Sequence, residues 1–210
     1  MKLHLSDFSK YYGTHTVLEI PDLTLKSGLY WIKGDNGSGK SSLFKSLAGL
    51  IPFSGDATIN DTISLKKHPV GFRQLVNYSE AEPLFPEFLT ATDLVQFVSK
   101  TKKATIQQQE LLVNTFGVKE FINQSCGTFS SGMLKKLSLT LGFLGSPQVI
   151  LLDEPLITLD EKARGQLANY IKHIVQEDLI ILISSHQQLE LSEFDVTQTY
   201  TIQDRKLVAR

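Results

Sequence analysis

Gly34-Asp35-Asn36-Gly37-Ser38-Gly39-Lys40-Ser41 is the stretch that decides how this chain of 210 residues folds. It reads G-x-x-G-x-G-K-S, nested within the phosphate-loop pattern G-x-x-x-x-G-K-[ST]. Glycines let a backbone approach a polyphosphate closely and turn successive N–H groups toward it. Lys40 adds a point charge for the β- and γ-phosphates, and the Ser41 hydroxyl can ligate Mg²⁺. The flanks fit. Residues 28–33, Gly-Leu-Tyr-Trp-Ile-Lys, read as an apolar strand. Residues 42–50 read as a helix with Leu43, Leu47 and Leu50 on one face. Strand, glycine loop and helix in that order aim a helix N-terminus at phosphate.

The second informative stretch is Val149-Ile150-Leu151-Leu152-Asp153-Glu154-Pro155, four apolar residues that end in two acids. A buried strand that emits carboxylates at its C-terminal edge puts them where open α/β sheets bind ligands. Asp153 is placed to hold Mg²⁺, directly or through water. Glu154 points elsewhere and is placed to polarise an attacking water, a role worth roughly 10²- to 10⁴-fold in rate.

Further outward, residues 3–8, 17–20 and 23–25 read as short strands separated by turns. Residues 54–60 read as a turn and strand, and residues 74–78 as a return to a core strand. Residues 90–141 are mostly helical by pattern, with Thr92-Asp93 as one cap and Thr105 as another. Then come a strand at 149–152, a helix over 161–176, a strand at 179–184 and two strands near 197–202 and 206–208. The helical middle interrupts an α/β pattern, which points to a subdomain inserted into one nucleotide-binding core.

Composition narrows the function. The chain is 41% hydrophobic and 20% charged, ordinary for a globular protein. A net charge of −1 supplies no general field for nucleic acid or an anionic membrane. No apolar run approaches the ~20 residues of a membrane helix. The N-terminus lacks a signal-peptide core, so a cytoplasmic address is the default expectation. A single cysteine, Cys126, excludes an internal disulfide and a cysteine metal site. His4, His15, His68 and His173 fall at no site motif and read as surface or structural residues.

Together these residues resemble the ATP-binding cassette (ABC) family, the motor subunits of ABC transporters. The resemblance spans nearly the whole chain and rests on an ordered series of motifs. It implies a RecA-like P-loop NTPase core with an antiparallel β-subdomain and an inserted α-helical subdomain. All of residues 1–210 would form one such domain, with the helical part at about 80–141. Phe8-Ser9-Lys10-Tyr11-Tyr12-Gly13 resembles the aromatic loop that stacks on adenine. Tyr12 is the better match, and Tyr11 is the neighbouring candidate. Glu80 takes the position of the glutamine-loop residue, where an acid in place of glutamine still offers oxygen to Mg²⁺. Phe129-Ser130-Ser131-Gly132-Met133 resembles the signature motif, usually L-S-G-G-Q, with Ser131 replacing a glycine and Met133 the glutamine. A plain helix cap at Ser130 is the alternative reading of that segment. Asp160 matches the aspartate of the D-loop and is also suited to cap the helix that follows. His186 matches the switch histidine that contacts the γ-phosphate.

The resemblance implies an ATPase that uses ATP and Mg²⁺. Two copies, alike or unlike, would pair head to tail. Each ATP would lie between Gly34, Asp35, Asn36, Gly37, Ser38, Gly39, Lys40, Ser41 and Ser42 of one chain and Ser130, Ser131 and Gly132 of the other. Lys40, Glu154 and His186 would carry the chemistry, and Ser41, Asp153 and Glu80 the metal. An integral membrane permease subunit would be the partner, with this chain peripheral on the inner face of the cell membrane. Apolar Leu84, Phe85, Phe88 and Leu89 fit either the groove for that partner or the core of the helical subdomain. The short length leans toward a compact exporter-type subunit, with import open. A soluble ABC ATPase acting in macromolecular assembly, such as iron–sulfur assembly, is the alternative.

Overall fold

A computed structural model describes residues 1–175, 178–186 and 194–210. The chain opens with two long antiparallel strands, β1 (Lys2–Tyr12) and β2 (His15–Lys26). The sequence divides β2 into two runs, yet one strand crosses Pro21. Two features permit this. β2 lies at the edge of a sheet, where a missing N–H is tolerated. The ladder also skips there, since Ser6 pairs with Asp22 and Phe8 with Ile20, and the intervening Asp7 has φ 50°. β3 (Gly28–Lys33) follows, then α1 (Lys40–Leu47). The helix stops three residues short of Leu50. Gly49 takes φ 70° and Leu50 is 61% exposed, so Leu43, Phe44 and Leu47 are the apolar residues of its buried face. β4 (Ser54–Ile59) and β5 (Ile63–Ser64) complete a four-stranded sheet in the order β2-β1-β4-β5.

A short helix, α2 (Pro69–Leu75), then takes Gln74 and Leu75 away from the expected strand. Pro69 at its first turn is pre-set for helix, and β6 is confined to Val76–Ser79. Between β6 and the next strand lie α3 (Ala91–Lys102), α4 (Ile106–Thr115) and α5 (Ser131–Gly142). The cap of α3 is Thr90 rather than Thr92-Asp93. Its Oγ1 accepts from Asp93 N at 3.1 Å, and the Asp93 carboxylate accepts from Thr90 N at 2.9 Å, a reciprocal capping box. Thr105 caps α4 as the sequence predicts, accepting from Gln108 N at 3.1 Å.

β7 (Val149–Asp153), α6 (Glu161–Ile174), β8 (Ile180–Ser185), β9 (Gln198–Gln203) and β10 (Lys206–Ala209) follow. The expected end of the α6 helix at Gln176 lies outside the described residues. The second sheet has the order β10-β9-β3-β8-β7-β6, parallel except for the β9–β10 hairpin. Its central strands are apolar on both faces, and their period of two divides the interior. Leu29, Trp31, Ile150, Leu152, Ile181 and Ile183 pack with the helices of the middle segment and α6. Tyr30, Ile32, Val149, Leu151, Ile180 and Leu182 pack with α1 and the antiparallel sheet. Each such buried side chain contributes about 1.5–3 kcal/mol relative to exposure. The result is a rigid parallel sheet whose C-terminal edge carries Lys33, Ser79, Asp153 and Ser185.

Candidate active site

The glycine loop leaves that edge after Lys33 and enters α1 at Lys40. Gly39 sits at φ 107°, and a Cβ there would lie 2.9 Å from Val17 Cγ1, so both backbone and space demand glycine. Val17 comes to this position through a bulge. Lys10 pairs with Leu18 and Tyr11 with Thr16, which leaves Val17 as the extra residue of β2. The N-terminus of α1 has no side-chain cap, so its orphan N–H groups are offered to an anion. Lys40 is only 6% exposed. Its ammonium donates to the carbonyls of Gly34 at 2.7 Å and Asp35 at 3.1 Å, which wraps the loop around its own lysine.

The two acids diverge as their neighbouring positions require. Asp153 is fully buried: Oδ1 accepts from Ser184 Oγ at 2.5 Å and Oδ2 from Tyr78 OH at 3.2 Å. Burial, then the nearby Asp153 carboxylate, pushes the Tyr78 hydroxyl far above its ordinary range, so it stays a donor. Glu154 takes φ 45°, a left-handed turn that swings it out of the strand. Its N–H donates to Ser184 Oγ at 2.9 Å. Its carboxylate meets Lys40 Nζ at 3.5 Å through Oε1 and His186 Nδ1 at 3.1 Å through Oε2. Ser184 and Tyr78 carry no motif. Only the pairing of Asp153 with Ser184 across parallel strands, visible once register is known, identifies the serine.

Tyr12, Asn36, Gly37, Ser38, Gly39, Lys40, Ser41, Ser42, Glu154 and His186 line one cleft of ≈ 590 Å³. Gly34, Asp35, Asp153 and Glu80 stand behind or beside this lining. Tyr11 turns away, and its hydroxyl donates to Glu19 at 3.4 Å. His15, expected as a surface or structural residue, lies in the cleft wall with Val17, Ala81, Glu82 and Ile157. It reaches the wall because the β1–β2 turn brings the start of β2 back beside Tyr12, its partner in the ladder. Glu80 pairs with Lys45 of α1, and that hydrogen bond holds the Lys45 ammonium above its usual range.

A family model described as ABC transporter matches residues 18–157. The chain belongs to the ABC transporter family. It is 28% identical over 219 residues to the ribose import ATP-binding protein RbsA of Lactococcus lactis subsp. lactis, covering 99% of this chain and 44% of that protein. It therefore spans less than half the length of that relative. It is 28% identical over 185 residues to the lantibiotic transport ATP-binding protein SrtF of Streptococcus pyogenes, covering 88% of this chain and 80% of that one. A solved structure of an ATP binding subunit of an ABC transporter superposes with TM-score 0.87 at 23% identity, covering 99% of this chain and 88% of that one. A putative cobalt transport ATP-binding protein gives TM-score 0.82 at 22% identity, covering 98% and 78%. The fold expected from the sequence, an ABC ATPase α/β core, is the fold found.

In this ABC family chain a second cluster of motif residues lies apart from the cleft lining. Ser130 caps α5, accepting from Met133 N at 3.3 Å, and Asp160 caps α6, accepting from Ala163 N at 2.8 Å. Lys136 Nζ donates to the other Asp160 oxygen at 2.7 Å and joins the two helix starts. That hydrogen bond, then the cap, holds the Asp160 carboxyl below its usual range. Gly132 fits closely under the loop before α6: a Cβ there would stand 3.0 Å from Thr158 O. Sequence reading assigns no role to Lys135, which precedes Lys136 on α5. Its fully buried ammonium donates to Glu80 O at 2.8 Å and Asp153 O at 3.3 Å, and burial lowers its pKa to about 8.

The apolar segment after Glu80 is split by burial. Phe85 and Leu89 pack against the core, whereas Leu84 is 89% and Phe88 82% exposed. Among the described residues no helix is long and apolar enough to cross a membrane.

Proposed function

We propose that this chain is the ATP-binding and ATP-hydrolysing subunit of an ABC transporter, built as one cassette with its helical subdomain at about residues 80–141. The observation that carries the reading is the convergence of Lys40, Glu154 and His186 in one cleft beside an uncapped helix N-terminus. The cleft suits a nucleoside triphosphate. Tyr12 offers a half-exposed ring whose hydroxyl stands 3.4 Å from Ser42 Oγ, and the glycine loop offers N–H groups. Among the described residues no group of three or more acidic, histidine or cysteine side chains gathers as a metal cage. A serine hydroxyl with one or two nearby carboxylates fits Mg²⁺, which is held by one or two carboxylates together with substrate phosphates. Ser41 would contribute a hydroxyl oxygen. Asp153, whose oxygens already accept from Ser184 and Tyr78, suits contact through water. Glu80, already neutralised by Lys45, would stand as an outer oxygen. When bound, the metal offsets phosphate charge.

Lys40 holds the β- and γ-phosphates. Glu154 accepts a proton from the attacking water as its oxygen bonds to the γ-phosphorus and the bond to ADP breaks. His186 orients Glu154 and donates to the γ-phosphate. Ser130, Ser131 and Gly132, with Asp160, would complete the site from a second subunit, alike or unlike, in a head-to-tail pair closed by ATP. Exposed Leu84 and Phe88 would meet a membrane-embedded permease, which places the pair on the cytoplasmic face of the membrane. The test is Glu154→Gln. ATP binding should persist, phosphate release should fall by roughly 10²- to 10⁴-fold, and light scattering should detect an ATP-dependent dimer. Wild-type turnover in this variant sinks the assignment of Glu154, and a monomer at saturating ATP sinks the paired site.

A further inference from the structure

Lys10 lies within the stretch that resembles the aromatic loop but has no role assigned to it, and it is among the most enclosed cations of the described residues. It lies on β1 two residues before Tyr12, on the same face of the strand. Its side chain is 4% exposed. The ammonium donates to Pro52 O at 2.9 Å and stands 4.3 Å from the centroid of the Tyr12 ring. Among the described residues it forms no ion pair. Tyr12 itself is 54% exposed and lines the cleft with Lys40, Ser41 and Ser42. The enclosed ammonium thus lies over the ring, whose hydroxyl stands 3.4 Å from Ser42 Oγ, and about half of the residue remains exposed.

We propose that Lys10 is a positioning residue for the nucleotide base, acting through the ring of Tyr12. This rests on the proposed function, in which that ring is the base platform. Two physical effects support it. A cation over an aromatic face is held by the ring quadrupole, more strongly when water is excluded. Lys10 therefore fixes the ring, and the Pro52 carbonyl fixes Lys10. The ammonium also draws π-electron density toward itself, which leaves the opposite face less negative. A neutral, electron-rich purine stacks on such a face more favourably than on an unmodified ring. The alternative is a general attraction between the Lys10 charge and the phosphates, which needs no ring at all.

The test separates these effects. Full-length wild type, Lys10→Met, Lys10→Gln, Lys10→Arg, Tyr12→Ala and the double variant Lys10→Met with Tyr12→Ala are titrated calorimetrically with ATP and with inorganic tripolyphosphate. The neutral variants should weaken ATP binding by about 3- to 10-fold and shift tripolyphosphate by less than about 2-fold. Lys10→Arg should recover most of the loss. With Tyr12→Ala already present, Lys10→Met should change ATP affinity no further. Equal losses for both probes, or an undiminished effect in the Tyr12→Ala background, overturn the inference, as does wild-type ATP affinity in both neutral variants. Wild-type protein that binds neither probe overturns the proposed function and this inference with it.

Discussion

Oε1 of Glu154 stands 3.5 Å from Nζ of Lys40, and both side chains are more than nine-tenths buried. The acid at the end of β7 and the lysine that opens α1 are thereby one electrostatic unit. Removing one partner of a buried pair leaves the other charge uncompensated, which costs roughly 3–5 kcal/mol. Lys40→Ala should therefore destabilise the protein toward urea as well as abolish ATP turnover. Adding Glu154→Gln should restore much of the lost stability. Additive losses in that double variant argue against the pair, and wild-type hydrolysis in Lys40→Ala argues against the site.

Asp160 has two partners, the N–H of Ala163 and the ammonium of Lys136. Asp160→Ala should cost about 0.5–2 kcal/mol, the usual range for a lost helix cap. The carboxyl titrates below its ordinary value in the folded state, so its contribution is present above that ordinary value and is lost as pH falls through the lowered one. The gap between wild type and Asp160→Ala in denaturant titrations should accordingly narrow in acid. A gap that is constant down to the acid limit excludes the charged partner as its source.

Lys102 has the same sign of pH dependence in a different window, because a burial penalty on its charge is relieved as pH rises. Its ammonium donates to the carbonyls of Arg73 at 2.5 Å and Val76 at 2.9 Å, and burial lowers its pKa from 10.5 to about 8. A base with a lowered folded pKa binds fewer protons folded than unfolded, so stability gains with rising pH between those values. Relative to Lys102→Met, wild type should gain ground from pH 8 toward 10.5. Thermal midpoints of both proteins measured across that window decide it, and parallel profiles exclude the burial penalty.

Leu84 and Phe88 are almost wholly exposed, so Leu84→Ser with Phe88→Ser should leave stability within about 0.5 kcal/mol, the usual range for surface changes. The same double variant should lose co-purification with a membrane subunit from detergent extracts while it retains ATP hydrolysis by the free chain. Unaltered co-purification means the partner docks elsewhere.

Ser131, where the resemblance leads one to expect glycine, is the first residue of α5 and is exposed. Ser131→Gly should tighten ATP-driven pairing, measured as the dimer dissociation constant by light scattering. An unchanged constant shows that this Cβ is tolerated at the interface.

The sequence carried the parallel core in plain view because strands buried on both faces leave unbroken apolar runs, as at residues 149–152 and 180–183. The glycine loop and the paired acids were legible for a similar reason: close backbone approach and paired charge at a strand end demand particular residue types. Ser184, Tyr78 and Lys135 were not legible. Each acts through register or through a contact distant in sequence, and serine, tyrosine and lysine have many ordinary uses. Pro21 misled because its penalty depends on whether a strand is central or at an edge, a fact about the sheet rather than the residue. Thr90 and Thr92 are chemically alike and two residues apart, and only the reciprocal bond with Asp93 marks Thr90 as the cap.

The link from Lys136 to Asp160, with Gly132 set under Thr158, joins the starts of α5 and α6. In the pair proposed above, the start of α5 faces the neighbour's phosphates, while the loop before α6 continues directly from this chain's own Glu154. In that pair, a displacement at either nucleotide would reach the other through a path inside one subunit. Two reaction cycles joined in this way would keep a fixed phase, in step or in alternation, and a subunit without that link would lose the beat before it lost the chemistry.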